Sequence, residues 1–191
     1  MSVTHGAQTR KKPQKRKKRS AKPQAPRADR PYMPEYGIAP VAGGLGLLPW
    51  SWAGTQLSAA RKYRLSTCRE SGAPHAMPVW GVWINDIFYL STGGRSRKAR
   101  NLAADPRCVL CPELRDATLV MEGVATKQNP RQLPRAVFKA YAAKYPPWKL
   151  DPALGPIFAL RPKRVIGFKE RSGKQEDLFT RTATRWRWNR T

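Results

Sequence analysis

Histidine and cysteine are scarce in this chain: two and three residues out of 191. With His5 near the start and His75 alone in the remainder, no ligand set for a structural zinc ion is present. Cys108 and Cys111 match C-x-x-C, but on a strand positions i and i+3 point to opposite faces, and no second pair exists. With Cys68 they form an odd, sparse set, which excludes a disulfide framework and points to a reducing cytoplasm. Acidic side chains are also few, 12 against 37 Lys/Arg, for a formal charge of +25. A compact, strongly apolar run is missing as well. The longest uncharged stretch, YGIAPVAGGLGLLPWSWAGTQLSAA, carries five glycines and two prolines, which break a membrane-spanning helix and differ from the apolar core of a secretory signal.

The positive charge is unevenly spread. Residues 1–30 hold eleven Lys/Arg against Asp29 alone and almost no apolar side chains, so the sequence predicts a disordered basic tail there. A single domain is expected over 31–191, with a core at about 56–170 and packed extensions on both sides. Both parts favour anionic partners: nucleic acid or polyphosphate on the tail, or a phosphorylated small molecule in the domain.

The domain reads as β-rich. A short helix is expected at 55–62. YRLSTCR (63–69), PHAMPVWGVWI (74–84) and IFYLST (87–92) are rich in β-formers and separated by the turn signals ESGA and ND, the pattern of an antiparallel meander. RCVLC (107–111) and ATLVMEGVATK (117–127) continue it. A second helix is expected at 131–144, and PIFALRP and RVIGFKE supply the closing strands. The fold class implied is mainly β with α: a six- to seven-stranded antiparallel barrel with short crossover helices.

One stretch carries a chemical question. In GGRSRKARNLAADP (93–106), Ser96 is placed to cap a helix whose apolar stripe is Ala99, Leu102 and Ala103. Arg95, Arg97, Lys98 and Arg100 then crowd the helix start, which is already electropositive and favours anions. A Gly-Gly turn, free N–H groups and two flanking cations make a phosphate cradle; a solvated basic face explains the same residues.

The order of elements around that stretch resembles the pyridoxamine 5'-phosphate oxidase-like family, the flavin and deazaflavin split barrels. The resemblance rests on GAPHAMPVW (72–80), FYLST (88–92), SRKARNLAADP (96–106) and VMEGVA (120–125), and extends from about Arg30 to Trp188 through LLPWSWA and TATRWRW. It implies a cofactor phosphate held by Arg97 and Lys98 with Ser96 beside them. It implies further that Met77, Pro78, Val79 and Trp80 lie along the ring and ribityl chain, with Ser91 and Thr92 at the ribityl or phosphate part. Asn101, one helical turn on, is a further candidate. The substrate-binding Arg-x-His of true pyridoxamine 5'-phosphate oxidases has no counterpart, so vitamin B6 oxidation is not expected.

The activity implied is that of an F-420- or FMN-dependent oxidoreductase, F-420 ahead of FMN, acting on a small unsaturated or quinone-like substrate as a homodimer. The catalytic residues are unknown, since the cofactor carries the hydride chemistry. His75 reads as a hydrogen-bonding residue after a turn, with substrate contact as the alternative. Trp80 reads as core filling, with stacking on the ring as the alternative. Competing functional classes are a nucleic-acid-binding protein acting through the tail and a cofactor binder without efficient turnover.

Overall fold

The computed structural model of the protein describes residues 25–41, 46–170 and 178–188. The first 24 residues of the expected basic tail lie outside them. Among the described residues the chain runs β1 (Arg27–Asp29), α1 (Trp50–Ala59), β2 (Tyr63–Cys68), β3 (Pro74–Val79), β4 (Gly81–Ile84), β5 (Ile87–Ser91), α2 (Arg97–Ala104), β6 (Arg107–Pro112), β7 (Ala117–Lys127), α3 (Arg135–Lys144), β8 (Ile157–Lys169), α4 (Leu178–Thr182) and β9 (Thr184–Arg187).

All strand pairs are antiparallel, and the wall can be followed around a circuit. β2 pairs with β3 and with β6, β6 with β7, β7 with β8, β8 with β5, and β5 with β4. Only between β3 and β4 is the ladder replaced by the chain itself, at Trp80. Six wall positions therefore enclose the core, in agreement with the expected mainly β split barrel. β9 and β1 add a flap on the outer edge of β8. No described helix is long and apolar enough to cross a membrane.

Local chemistry explains most boundaries. Asn85 and Asp86 both take positive φ (50° and 60°), the two-residue hairpin geometry that Asn and Asp tolerate. The Arg69–Gly72 turn closes through the Gly72 N–H to the Arg69 carbonyl at 2.8 Å. Strand β2 alternates cleanly, with Tyr63, Leu65 and Thr67 buried and Arg64 and Cys68 exposed. Phe88, Leu90, Leu110, Met121 and Leu160 complete the barrel interior. A second apolar layer packs Val137, Tyr141 and Tyr145 of the α3 region over Val82, Tyr89, Ile157 and Ala159.

Several expected boundaries move. The segment 74–84 is two strands, because β3 hydrogen-bonds to β2 whereas β4 bonds to β5. Gly81 sits at the switch with no room for a side chain: a Cβ there would lie 2.5 Å from the Tyr89 carbonyl oxygen and 2.7 Å from Phe88 Cε1. The two expected closing strands are one, since an irregularity opposite Glu122 and Gly123 absorbs Pro162 and Lys163 without ending β8. The first helix starts earlier, at Trp50, directly after Pro49. The second is shortened because Pro134 splits a 3-10 turn at Pro130–Gln132 from α3. Arg27–Asp29, expected in the tail, form β1 instead. The Asp29 carboxylate accepts from the Arg185 and Arg187 guanidiniums, and these bonds hold its pKa below the ordinary carboxylate value.

Five of the seven tryptophans explain the packed extensions. Trp50 meets Trp83, Trp186 and Trp188 edge-on, and Trp52 stacks on Trp186. Indole Nε1–H of Trp50 also donates to Asp86 at 2.9 Å. This cluster ties α1 and β9 to the hairpin of β4 and β5. Trp80 and Trp148 take no part in it.

Candidate active site

The site begins at the start of α2. Ser96 is the N-cap: its Oγ accepts from the Ala99 N–H at 3.2 Å and lies 3.1 Å from the Thr92 hydroxyl. Its own N–H donates to the Gly93 carbonyl at 2.9 Å, closing the turn that follows β5. The helix buries Ala99 and Leu102 as its pattern requires, but the third buried position is Asn101; Ala103 is exposed.

A cleft of about 560 Å³ runs from this turn along the outer surface of β3 and β2. It is lined by Ser91, Thr92 and Lys98 at one end. Pro78, Val79 and Trp80 line it too, with Tyr141, Lys62, Arg64 and Glu113. Cross-strand pairing explains the grouping: Arg64 stands opposite Pro78 in the β2–β3 ladder, and the Glu113 N–H donates to the Lys62 carbonyl at 2.9 Å. Three cations face one carboxylate, so the cleft attracts anionic ligands. The Arg64–Glu113 pair is loose, 3.7 Å apart with both side chains about half exposed (60% and 46%).

Of the ten expected cofactor-binding residues, the structure brings six to this cleft: Pro78, Val79, Trp80, Ser91, Thr92 and Lys98. Ser96 stands behind Thr92 as the cap. Arg97 is exposed and Met77 is 42% exposed, and neither lines the cleft. Asn101 is 3% exposed and donates through Nδ2 to Thr67 Oγ1 at 2.9 Å, fastening α2 to the barrel. His75 is half-buried on β3 away from the cleft, and its Nδ1 is enclosed without a partner among the described residues. By alternation His75, Met77 and Val79 share one side of β3, and Pro78 and Trp80 lie on the other.

Trp80 departs from the core-filling reading. At the β3–β4 break its indole turns outward, 42% exposed, and stacks on Tyr145 with centroids 5.0 Å apart and planes 4° apart. Tyr145 is fixed in turn: its hydroxyl accepts from the Gly81 N–H at 3.2 Å and lies within bonding distance of the Arg61 and Gly81 carbonyls. Burial raises the pKa of both Tyr141 and Tyr145 above the usual phenol value, so both hydroxyls stay protonated.

Lys62, Arg64, Glu113 and Tyr141 were not singled out by the sequence. The first two carry a visible signal, since in KYRLSTC they are the outward charges of an alternating strand. Glu113 joins them only through the non-local β2–β6 pairing. Cys108 is buried, which pushes its thiol up to about 12, and Cys111 is half-buried on the other side of β6.

A profile of the family described as pyridoxamine 5'-phosphate oxidase matches residues 55–187. The chain belongs to this family. The resemblance carried by GAPHAMPVW, FYLST and SRKARNLAADP is thereby borne out. A conserved hypothetical protein from Mycobacterium tuberculosis is similar in structure, with TM-score 0.55, 23% identity and coverage of 65% of this chain and 86% of that one. A FAD-binding protein from Mesorhizobium loti gives TM-score 0.52 at 19% identity, covering 65% and 96% of the two chains. A putative pyridoxamine 5'-phosphate oxidase from Listeria innocua gives 0.51 at 13% identity, covering 60% and 94%. At these identities the likenesses establish the fold alone. A comparison with curated proteins gives no match.

Proposed function

We propose that the protein is a flavin- or deazaflavin-dependent oxidoreductase, F-420 ahead of FMN, that passes a hydride between its cofactor and a small unsaturated or quinone-like substrate. The observation that carries this reading is the cleft. It gathers the end of β3, the end of β5 and the start of α2, separated in sequence, around one surface. A volume of about 560 Å³ falls inside the range of cofactor sites. Its donor set also fits the group: an amine and two hydroxyls at a capped helix start suit a phosphate, and Pro78, Val79 and Trp80 offer a largely apolar wall for a ring.

In this reading Lys98, Ser91 and Thr92 hold the phosphate, and Ser96 keeps the Thr92 hydroxyl in place. Pro78 and Trp80 shield one side of the ring from water, with Val79 between them on the strand, and Gly81 fixes the turn that presents them. Bound there, the cofactor supplies the hydride chemistry. Arg97, exposed beside the cleft, adds charge without a fixed contact. Asn101 keeps a structural role in fastening α2, and His75 has none in the cleft.

A homodimer is part of the proposal. The outer edge of β3 carries no strand partner among the described residues, and exposed Met77 lies on that strand. The cysteine usage supports a cytoplasmic location.

The test is a titration of the purified full chain with F-420 and with FMN, followed by fluorescence and absorption. Saturable binding of either is expected, tighter for F-420. Binding of neither overturns the reading.

A further inference from the structure

The flap on the outer edge of β8 carries a charge pattern that the cleft does not use. Register across three adjacent strands sets three arginines in a row: Arg27 of β1 stands opposite Arg187 of β9, and Arg187 stands opposite Arg164 of β8. All three are exposed. Directly opposed side chains in an antiparallel sheet share a face, and like charges placed so destabilise it. Two carboxylates relieve part of this. Asp29 accepts from Arg185 and Arg187, and Glu122, opposite Arg164 on β7, accepts from that guanidinium at 3.0 Å. Four guanidiniums thus face two carboxylates, and Arg27 belongs to neither set of ion pairs. Neighbouring strands lie about 4.8 Å apart, so the row spans about 10 Å, a length over which one strand of a duplex carries about three phosphates.

The chain reaches this row from a segment of the same sign. Nine Lys/Arg fall within residues 10–22, no Asp or Glu occurs before Asp29, and Arg27 follows five residues after Lys22. Residues 1–30 contain no Phe, Trp, Tyr, Leu or Ile. That absence narrows the partner. An amphipathic membrane anchor needs an apolar face, and binders of single strands add aromatic platforms for unstacked bases. What remains is dense charge, suited to a partner whose bases are already stacked and which is held through its phosphates.

We propose that the exposed face of β1, β9 and β8, together with the basic segment that runs into it, is a sequence-independent binding surface for a nucleic-acid duplex. The segment supplies most of the attraction. The arginine row gives the folded domain a fixed place on the phosphate backbone. The proposal goes beyond the oxidoreductase reading and stands independently of it, since none of these residues lines the cleft.

The test is a fluorescence-anisotropy titration of a labelled duplex of about 20 base pairs with the full chain, over about 50–300 mM salt. Each phosphate neutralised contributes about 0.9 to the fall of log K against log salt, so a slope steeper than about −5 is expected. Changing Arg27, Arg187 and Arg164 together to Gln should flatten that slope by about 2 to 3. Urea midpoints check that the variant is folded. Arg27→Glu breaks no described ion pair, and it decides alone should the triple variant fail to fold: the slope should flatten by at least about 1.

Absence of duplex binding at about 50 mM salt would overturn the proposal. So would a slope that the arginine variants leave unchanged, which would assign all binding to the segment 10–22. Tighter binding of the unpaired strand than of the duplex, or displacement of the chain from the duplex by phosphatidylserine vesicles at equal phosphate concentration, would overturn it too.

Discussion

Arg97 and Lys98 are neighbours in the sequence and equal candidates for a phosphate clamp, yet only Lys98 lines the cleft. The two alanine variants should therefore differ. Lys98→Ala removes a half-buried amine beside Ser91 and Thr92, and a hydrogen bond to a charged group contributes about 1.5–3 kcal/mol. At about 1.4 kcal/mol per tenfold, FMN affinity should fall roughly 10- to 150-fold. Arg97 acts from an exposed position, where an ion pair is worth about 0.2–1 kcal/mol and is screened by salt. Arg97→Ala should therefore cost less than about fivefold at an ionic strength of about 0.1 M and almost nothing at about 1 M. FMN fluorescence titration at both salt levels measures this, with urea midpoints confirming that each variant is folded. A salt-insensitive loss in Arg97→Ala as large as that in Lys98→Ala would refute the assignment of the clamp to Lys98.

Two further predictions concern the frame of the site. Gly81→Ala places a Cβ against the Tyr89 carbonyl and the Phe88 ring, so urea unfolding should show a loss of about 1–3 kcal/mol, as for other overpacked positions. The second concerns Lys144, half-buried at the end of α3, whose amine donates to the Ser58 carbonyl at 3.0 Å and the Tyr63 hydroxyl at 2.7 Å. Burial, with a smaller contribution from Arg61, pulls its pKa down to about 8. In the unfolded chain a lysine titrates near 10.4, so between about pH 8 and 10 the unfolded state holds the extra proton and stability rises with pH. The buried thiols of Cys108 and Cys111 oppose this from about pH 9, and Tyr63 from about pH 10, because burial raises their pKa values and only the unfolded chain ionises there. The difference in urea midpoint between the natural chain and Lys144→Met, measured at about pH 7, 8.5 and 9.5, isolates the lysine: it should shift in favour of the natural chain as the pH rises, and a difference that stays constant would show that Lys144 is not the group responsible.

Much of the site was legible because its chemistry is local. The Ser96 cap, the Asn85–Asp86 turn and the alternation of Tyr63, Leu65 and Thr67 are each dictated by a few adjacent residues. The features that escaped depend on which strands become neighbours. Trp80 reads as a core residue within PHAMPVWGVWI, and becomes a surface platform only because β3 and β4 bond to different partners. Asn101 has the spacing of a ligand residue one turn into α2, but the packing of α2 on β2 delivers it to Thr67. Arg64 and Glu113 are far apart in sequence, and only the β2–β6 pairing makes them one charge pair.

The missing seam between β3 and β4 bears on how the molecule accommodates guests. In a barrel laddered all round, widening any gap means breaking a row of hydrogen bonds. Here the wall turns on the backbone of a single residue, Trp80, with Gly81 wedged tightly behind it. That turn is held by packing instead of a ladder: Gly81 against Phe88 and Tyr89, and the Trp80 indole on Tyr145. A side-chain change at this one turn therefore reshapes the cleft wall without removing a single bond of the β2–β3 or β4–β5 ladders.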